Sequence, residues 1–301
     1  MARLVAGRGL EGLGLGSHAG RVDLRGLLAP VPSRLRRFES QGWFVEVLGD
    51  LITFRNVQWR GLDLSGAQLP GLRFFGSRLA DCRLDGANCH DWRLWDTEVA
   101  DCSFARASLR EAAVGTWHED RRNAWRRVDF TRADFGVRTC WEAVFEDCDF
   151  SGAKMTGVEF SQCSLTRCRF AGQLRRVVFD GRDLPGRPAP APMSKVDFAA
   201  ATFTDVTFLG FGLEDVTLPP EPDVRLYRRA RCVARRGIRM LEGDGSLPAQ
   251  MLRAVLEDCL RGPGSDSDAF VFVRRDFLSG GPELVAMAEE VLGRAEAECL
   301  T

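Results

Sequence analysis

A large apolar residue recurs every five positions through the middle of this chain, usually with a small residue two places before it. The first block keeps step without a gap: Phe54, Trp59, Leu64, Leu69, Phe74, Leu79, Leu84, Cys89, Leu94, Val99, Phe104, Leu109, Val114. A second runs Phe130, Phe135, Cys140, Phe145, Phe150, Met155, Phe160, Leu165, Phe170, and a third Phe198, Phe203, Phe208, Leu213, Leu218. Strands alternate faces with a period of two and helices repeat with a period of about 3.6. Neither fits, so the chain must turn a corner at every step.

The positions two before the centres are compact: Ala67, Cys82, Ala87, Cys102, Ala107, Ala133, Ala143, Cys148, Ala153, Cys163, Cys168 and Ala201. With "LDLSGAQL", "CRLDGANC", "CSFARASL" and "VDFTRADF", this pattern resembles the pentapeptide-repeat family. The resemblance implies a mainly β fold, a right-handed quadrilateral β-helix with four steps per coil and both the centre and the small residue inward. Side chains twenty apart then stack, and the columns agree: Ala67, Ala87 and Ala107; Leu62, Cys82 and Cys102; Phe54, Phe74, Leu94 and Val114. Trp92 breaks the small column, which predicts a local bulge or an outward tryptophan there.

Composition sets the class. The 301 residues are 45% hydrophobic with a net charge of −1, enough apolar content for a sizeable core and no bias toward a polyanionic partner. The N-terminus lacks the continuous apolar stretch of a signal peptide, and no run is long enough to span a bilayer, so the expected location is cytoplasmic. Seven of the ten cysteines occupy inward repeat positions, where they act as small hydrophobes. Cys163 and Cys168 have ladder spacing, not that of a metal site or redox dithiol. The expectation is ten reduced thiols and no bound zinc.

Three regions follow. Residues 1–50 read as an N-terminal cap region, in which 34–50 ("RLRRFESQGWFVEVLGD") covers the open end with Trp43, Phe44, Val45 and Val47. Residues 51–218 form the β-helix, with loops projecting near 115–127 and 185–195 and a register slip near 173–184. Residues 219–301 form a C-terminal α-rich domain, with helices expected over 223–241, 248–260 and 282–300 and a strand over 268–278.

No catalytic constellation emerges. His18, His90 and His118 lie far apart, which supplies neither a metal triad nor a hydrolase set, and no cofactor motif is present. The chain therefore reads as a non-catalytic interaction or scaffold protein with a protein partner. The family resemblance implies an alternative, a gyrase- or topoisomerase-directed DNA mimic conferring resistance to topoisomerase poisons. Its acidic surface is missing, because residues 51–218 carry 22 Arg and Lys against 23 Asp and Glu. An accessory role, or an unusual enzyme of a biosynthetic pathway, is a second alternative.

Two candidate partner surfaces stand out. The loop holding Trp117, His118, Arg121, Arg122, Trp125, Arg126 and Arg127 combines the residue types enriched in binding hot spots. In the tail, Arg225, Arg228, Arg229, Arg235, Arg236 and Arg239 fall on one arc of the expected first helix. That stripe fits an anionic partner unless Glu283, Glu289, Glu290, Glu296 and Glu298 of the last helix neutralise it within the fold. The tail also offers a surface for homodimerisation.

Overall fold

The five-residue period has a backbone cause. The residue two after most centres lies in the left-handed region: Asn56 at φ 53°, Gly66 at 68°, Asp81 at 53°, Asp91 at 57°, Asp101 at 54° and Arg106 at 60°. Glycine enters this region without a Cβ clash, and Asn and Asp tolerate it better than other residues. One such residue per step turns the chain through a corner, and the three or four residues between corners pair as a short strand.

The computed structural model describes residues 1–30, 34–40, 43–49, 51–115, 121–137, 139–183, 185–186, 191–220, 222–261 and 268–300, with backbone only over 34–40 and 43–49 and at 139. The chain divides into two units, Met1–Lys154 and Met155–Thr301.

In the first unit, one face is a parallel ladder of Thr53–Arg55, Arg73–Phe75, Arg93–Trp95, Ala113–Gly115 and Thr139–Trp141. A second stacks Gln58–Arg60, Arg78–Ala80, Glu98–Ala100, Ala124–Arg126 and Val144–Glu146. The remaining two faces are single bridges, Asp63 to Arg83, Ser103, Asp129 and Asp149, and Gln68 to Asn88, Ser108, Asp134 and Lys154. Four faces per coil make a quadrilateral β-helix. Its interior follows the columns read from the sequence, with Ala67, Ala87, Ala107, Phe54, Phe74, Leu94 and Val114 all buried. Phenylalanines stack along the columns at 4.8 Å (Phe54 on Phe74) and 4.9 Å (Phe130 on Phe150), contacts worth about 0.5–1.5 kcal/mol each beyond burial.

The N-terminal region joins this stack. Arg21–Asp23 pairs in parallel with Leu62–Asp63, and Leu28 bridges Gln68. The strands Arg34–Ser40 and Trp43–Gly49 pair in antiparallel fashion. The apolar cover expected from Trp43, Phe44, Val45 and Val47 lies outside the described side chains.

Two tryptophans correct the sequence reading. Trp92 neither bulges nor faces outward; it is fully buried, its Nε1 donates to the Leu69 carbonyl at 2.6 Å, and its column places it between Leu72 and Ala112, both buried. The small Ala112 leaves the room. Trp125 is likewise a fully buried rung, on the strand Ala124–Arg126, paired with Val99. The loop expected near 115–127 therefore does not include Ala124–Arg126, and 116–120 lie outside the described residues. Asn123, also buried, closes it: its Nδ2 donates to the carbonyls of Leu94 at 2.8 Å and Val114 at 3.3 Å, and its Oδ1 accepts the Thr97 N–H at 3.0 Å.

In the second unit, Met155–Thr156, Gly172–Arg175 and Ala201–Thr204 form one parallel face, and Glu159–Ser161, Val178–Asp180 and Thr207–Leu209 another. Leu174 and Phe179 are buried rungs. The register slip therefore sits at the four-residue step from Phe170 to Leu174, ahead of most of the expected 173–184 segment.

The tail departs from its expected elements at two places. A helix does not run over 223–241: Val224–Tyr227 is a strand, antiparallel to Phe270–Val273, and helix α2 occupies Ala230–Met240. The chain after Val273 is not strand but a short helix, so the expected strand over 268–278 is half right. Helices over Leu247–Leu260 and Pro282–Leu300 match expectation. With α1 at Ala2–Val5 they are α3 and α5, and Arg274–Leu278 is α4. Val233 and Ala234 of α2, Leu252 and Leu256 of α3 and Leu284, Ala288 and Leu292 of α5 share one core with Tyr227 and Phe272. Cys232 and Cys299 form a disulfide, Cα to Cα 6.1 Å, which corrects the expectation of ten free thiols. Eight remain free, seven of them buried in the coils and Cys259 partly exposed.

Candidate interaction surfaces

The outward positions of neighbouring coils lie one strand spacing apart, about 4.8 Å, so charged side chains on them meet across the ladder. Arg126 bridges Glu98 and Glu146, both at 3.3 Å. Arg127 grips Asp101 with two bonds, 2.6 and 2.9 Å. Arg121 reaches Asp96 at 3.0 Å. The hydrogen bond from Arg127 holds the Asp101 carboxyl below the usual carboxylate range, and the same bond raises the Arg127 guanidinium. Beside the Arg126 and Arg121 pairs runs a groove of about 630 Å³ whose walls include Gln58, Arg78, Glu98, Arg121, Arg122 and Arg126, while Arg127 and Asp101 line a neighbouring recess with Arg83 and Asp129.

Of the residues singled out in this segment, Trp117 and His118 lie outside the described residues. Arg121, Arg122 and Arg126 come together on the groove. Trp125 does not join them, because its ring points into the core. Asn123 escaped notice in the sequence; its only signal was a polar residue two places before a centre, as at Ser77 and Thr97, which are also buried.

The six tail arginines do not form one helical stripe. Arg225 is on the strand Val224–Tyr227, Arg228 follows it, Arg229 precedes α2 in the left-handed region at φ 55°, and only Arg235, Arg236 and Arg239 are helical. Several are engaged by α5: Arg225 lies 3.7 Å from Glu296 and Arg236 3.2 Å from Glu298. Glu289 instead pairs with Arg274 at 2.6 Å, and Glu290 with Arg294 at 3.4 Å.

The second unit also holds a cleft of about 610 Å³, lined by Arg182, Asp205, Phe208, Val255, Cys259, Phe270 and Asp276 among others. Asp276 accepts the Asp205 N–H through both carboxylate oxygens, at 3.1 and 3.0 Å, and burial raises its pKa. Burial pushes the Cys259 thiol up to about 11, so it stays protonated. Arg182 is fixed by Asp180 with bonds of 3.0 and 2.7 Å. This cleft joins residues distant in sequence, and no local motif announces it.

A family model for pentapeptide repeats matches residues 139–172 in eight copies. The four-faced ladders carry the same five-residue step on both sides of that segment, so the chain has the pentapeptide-repeat β-helix fold beyond the matched residues. No curated protein matches it. Among solved structures, trypsin-treated QnrB1, a plasmid-mediated fluoroquinolone resistance protein, is 20% identical over 56% of this chain and 75% of its own, with a TM-score of 0.33. HetL, involved in heterocyst differentiation regulation in the cyanobacterium Nostoc sp. strain PCC 7120, is 19% identical over 56% and 83%, TM-score 0.21. Rfr23 from the cyanobacterium Cyanothece 51142 is 7% identical over 65% and 87%, TM-score 0.20. Among the described residues no helix is long and apolar enough to cross a membrane.

Proposed function

We propose that this chain is a non-catalytic interaction protein, and that the face bearing Arg121, Arg126 and Arg127 receives a protein partner. The arrangement supporting this is the groove beside the arginine–carboxylate pairs, in which guanidiniums are held by Asp96, Glu98, Asp101 and Glu146 on a rigid ladder. Charges fixed in alternation on a stiff surface select a partner by complementary pattern more than by net attraction. Affinity capture with the parent and with Arg121→Glu/Arg126→Glu/Arg127→Glu tests it. A stoichiometric protein lost only from the variant is expected; no such protein, or equal capture, overturns it.

Topoisomerase-directed DNA mimicry is the competing reading that the family brings. Duplex DNA presents about one negative charge per 1.7 Å of axis, whereas here the carboxylates named above each carry an arginine. A cognate gyrase supercoiling assay, with and without a gyrase poison, separates the two: protection from the poison would favour mimicry.

A further inference from the structure

The last turn of α5 seats acidic groups on the basic part of the tail. Glu296 approaches the Arg225 guanidinium at 3.7 Å and accepts the backbone N–H of Arg228 at 3.2 Å. Glu298 pairs with Arg236 at 3.2 Å, and the Cys299 carbonyl accepts from Arg229. All four contacts come from three residues. The disulfide from Cys299 to Cys232 ties the same turn to α2.

Little else holds it. Beyond Ala295, Cys299 is the one buried residue before the end of α5 at Leu300. Helix ends fray, and their last carbonyls lack intrahelical donors. Ion pairs of this exposure contribute at most about 1 kcal/mol each. Without the sulfur link, the turn is retained by a single buried thiol and a few weak polar contacts, which places it at the low-stability end of the domain.

We propose that residues 296–299 are a disulfide-locked internal occupant of a surface formed by Arg225, Arg228, Arg229 and Arg236, and that an acidic segment of another protein takes their place when the lock is reduced. The occupant already present is polypeptide: two glutamates and a helix-terminal carbonyl. Its arginine partners come from a strand, a turn and a helix, a layout shaped to a folded-over peptide and not to the even phosphate spacing of a duplex. Arg228, Arg235 and Arg239 are exposed, and their guanidiniums have no carboxylate partner among the described residues, so they extend the attraction beyond the covered patch. Unlocking requires a dithiol reductant: two electrons and two protons convert the bridge to the Cys232 and Cys299 thiols while the reductant closes to its own disulfide. This surface is separate from the first-unit face proposed above, and different variants test each.

The test uses the full chain, oxidised or treated with dithiothreitol, and fluorescein-labelled polyglutamate read by anisotropy, with labelled duplex DNA as a second probe. Reduction is expected to tighten polyglutamate binding by at least about tenfold, a typical coupling, in a salt-sensitive way. Cys232→Ser/Cys299→Ser should bind like the reduced parent with or without reductant, and adding Arg225→Glu and Arg236→Glu should abolish binding. Amide exchange of residues 296–300 should quicken on reduction while 284–292 stay protected. Equal binding in both redox states, or unchanged exchange in the last turn, overturns the lock. Loss of protection across the whole tail also overturns it, since the turn would then not move alone. A preference of the reduced protein for duplex DNA overturns the assignment to an acidic polypeptide.

Discussion

Trp125→Ala separates two roles for a tryptophan that its sequence context presented as a binding residue. The side chain is fully buried, with ring centroids 5.8 Å from Phe104, 5.5 Å from Phe130 and 6.3 Å from Phe145. Truncating a buried tryptophan costs about 3–5 kcal/mol. The lost Nε1 bond adds little, because the Val114 carbonyl it served keeps the Asn123 amide at 3.3 Å and is not left unsatisfied. At roughly 2–4 °C per kcal/mol for a large domain, calorimetry should show a fall of about 6–20 °C. A solenoid couples mainly neighbouring coils, so an early transition confined to the first unit counts as the same loss. Arg121→Ala, which removes one exposed ion pair, should stay within about 1 kcal/mol. A Trp125→Ala protein that melts with the parent yet loses its partner would refute the core assignment.

The corners give a sign test: Gly66 has φ +68° with nothing within 4 Å of an added Cβ, so Gly66→Ala should cost about 1–2 kcal/mol from backbone strain alone. Gly293, helical and equally open, should gain about 0.5–1 kcal/mol as alanine, and melting shifts of the same sign for the two would contradict the corner geometry. Alkylation of the denatured, unreduced protein should modify eight thiols and leave Cys232 joined to Cys299 in the peptide map; ten modified thiols would remove the link. Acid should loosen the N-terminal turn first. The side-chain bond from Arg25 holds Asp23 at about 2, and at Asp63 burial pushes the carboxyl up but is outweighed by bonds from Ser65 and His18, which leave it lowered. A carboxylate lowered in the folded state stabilises it above the unfolded value of about 4 and loses that contribution as pH falls through the folded value. Exchange of residues 17–29 should therefore accelerate between about pH 4 and pH 2, and a flat profile would count against these anchors.

The coils were legible because each rung repeats the same local requirement. Columns such as Ala67, Ala87 and Ala107 can be read by counting, since a period of twenty survives as long as no residue is added or lost. Counting fails where the chain inserts or deletes. Val99 pairs with Trp125 and Phe160 with Phe179, so both spacings depart from twenty, and the rungs Trp125, Leu174 and Phe179 were missed for that reason. Trp92 was misjudged by weighing its volume alone; a column tolerates a large side chain where the next member is as small as Ala112. A second period was also present, Gly, Asp or Asn two after many centres, and it encodes the corners directly.

The tail was less legible because its elements are decided by partners far away in sequence. "DVRLYRRARCVARRGIRML" keeps a convincing apolar arc at about 100° per residue, yet "VRLY" is a strand, with Val224 and Tyr227 buried at its ends on opposite faces. Helix formation there would have had to stand on local propensity, with β-branched Val224 and aromatic Tyr227 contributing little. The antiparallel register from Val224 with Val273 to Tyr227 with Phe270 satisfies those backbone groups instead and buries both side chains, Tyr227 in the tail core. The same event disperses the arginines: once residues 224–227 are strand, Arg225 leaves the helical arc and lands where Glu296 reaches it. Whether a basic cluster is open or covered thus turned on a strand pairing that no window of the sequence contains.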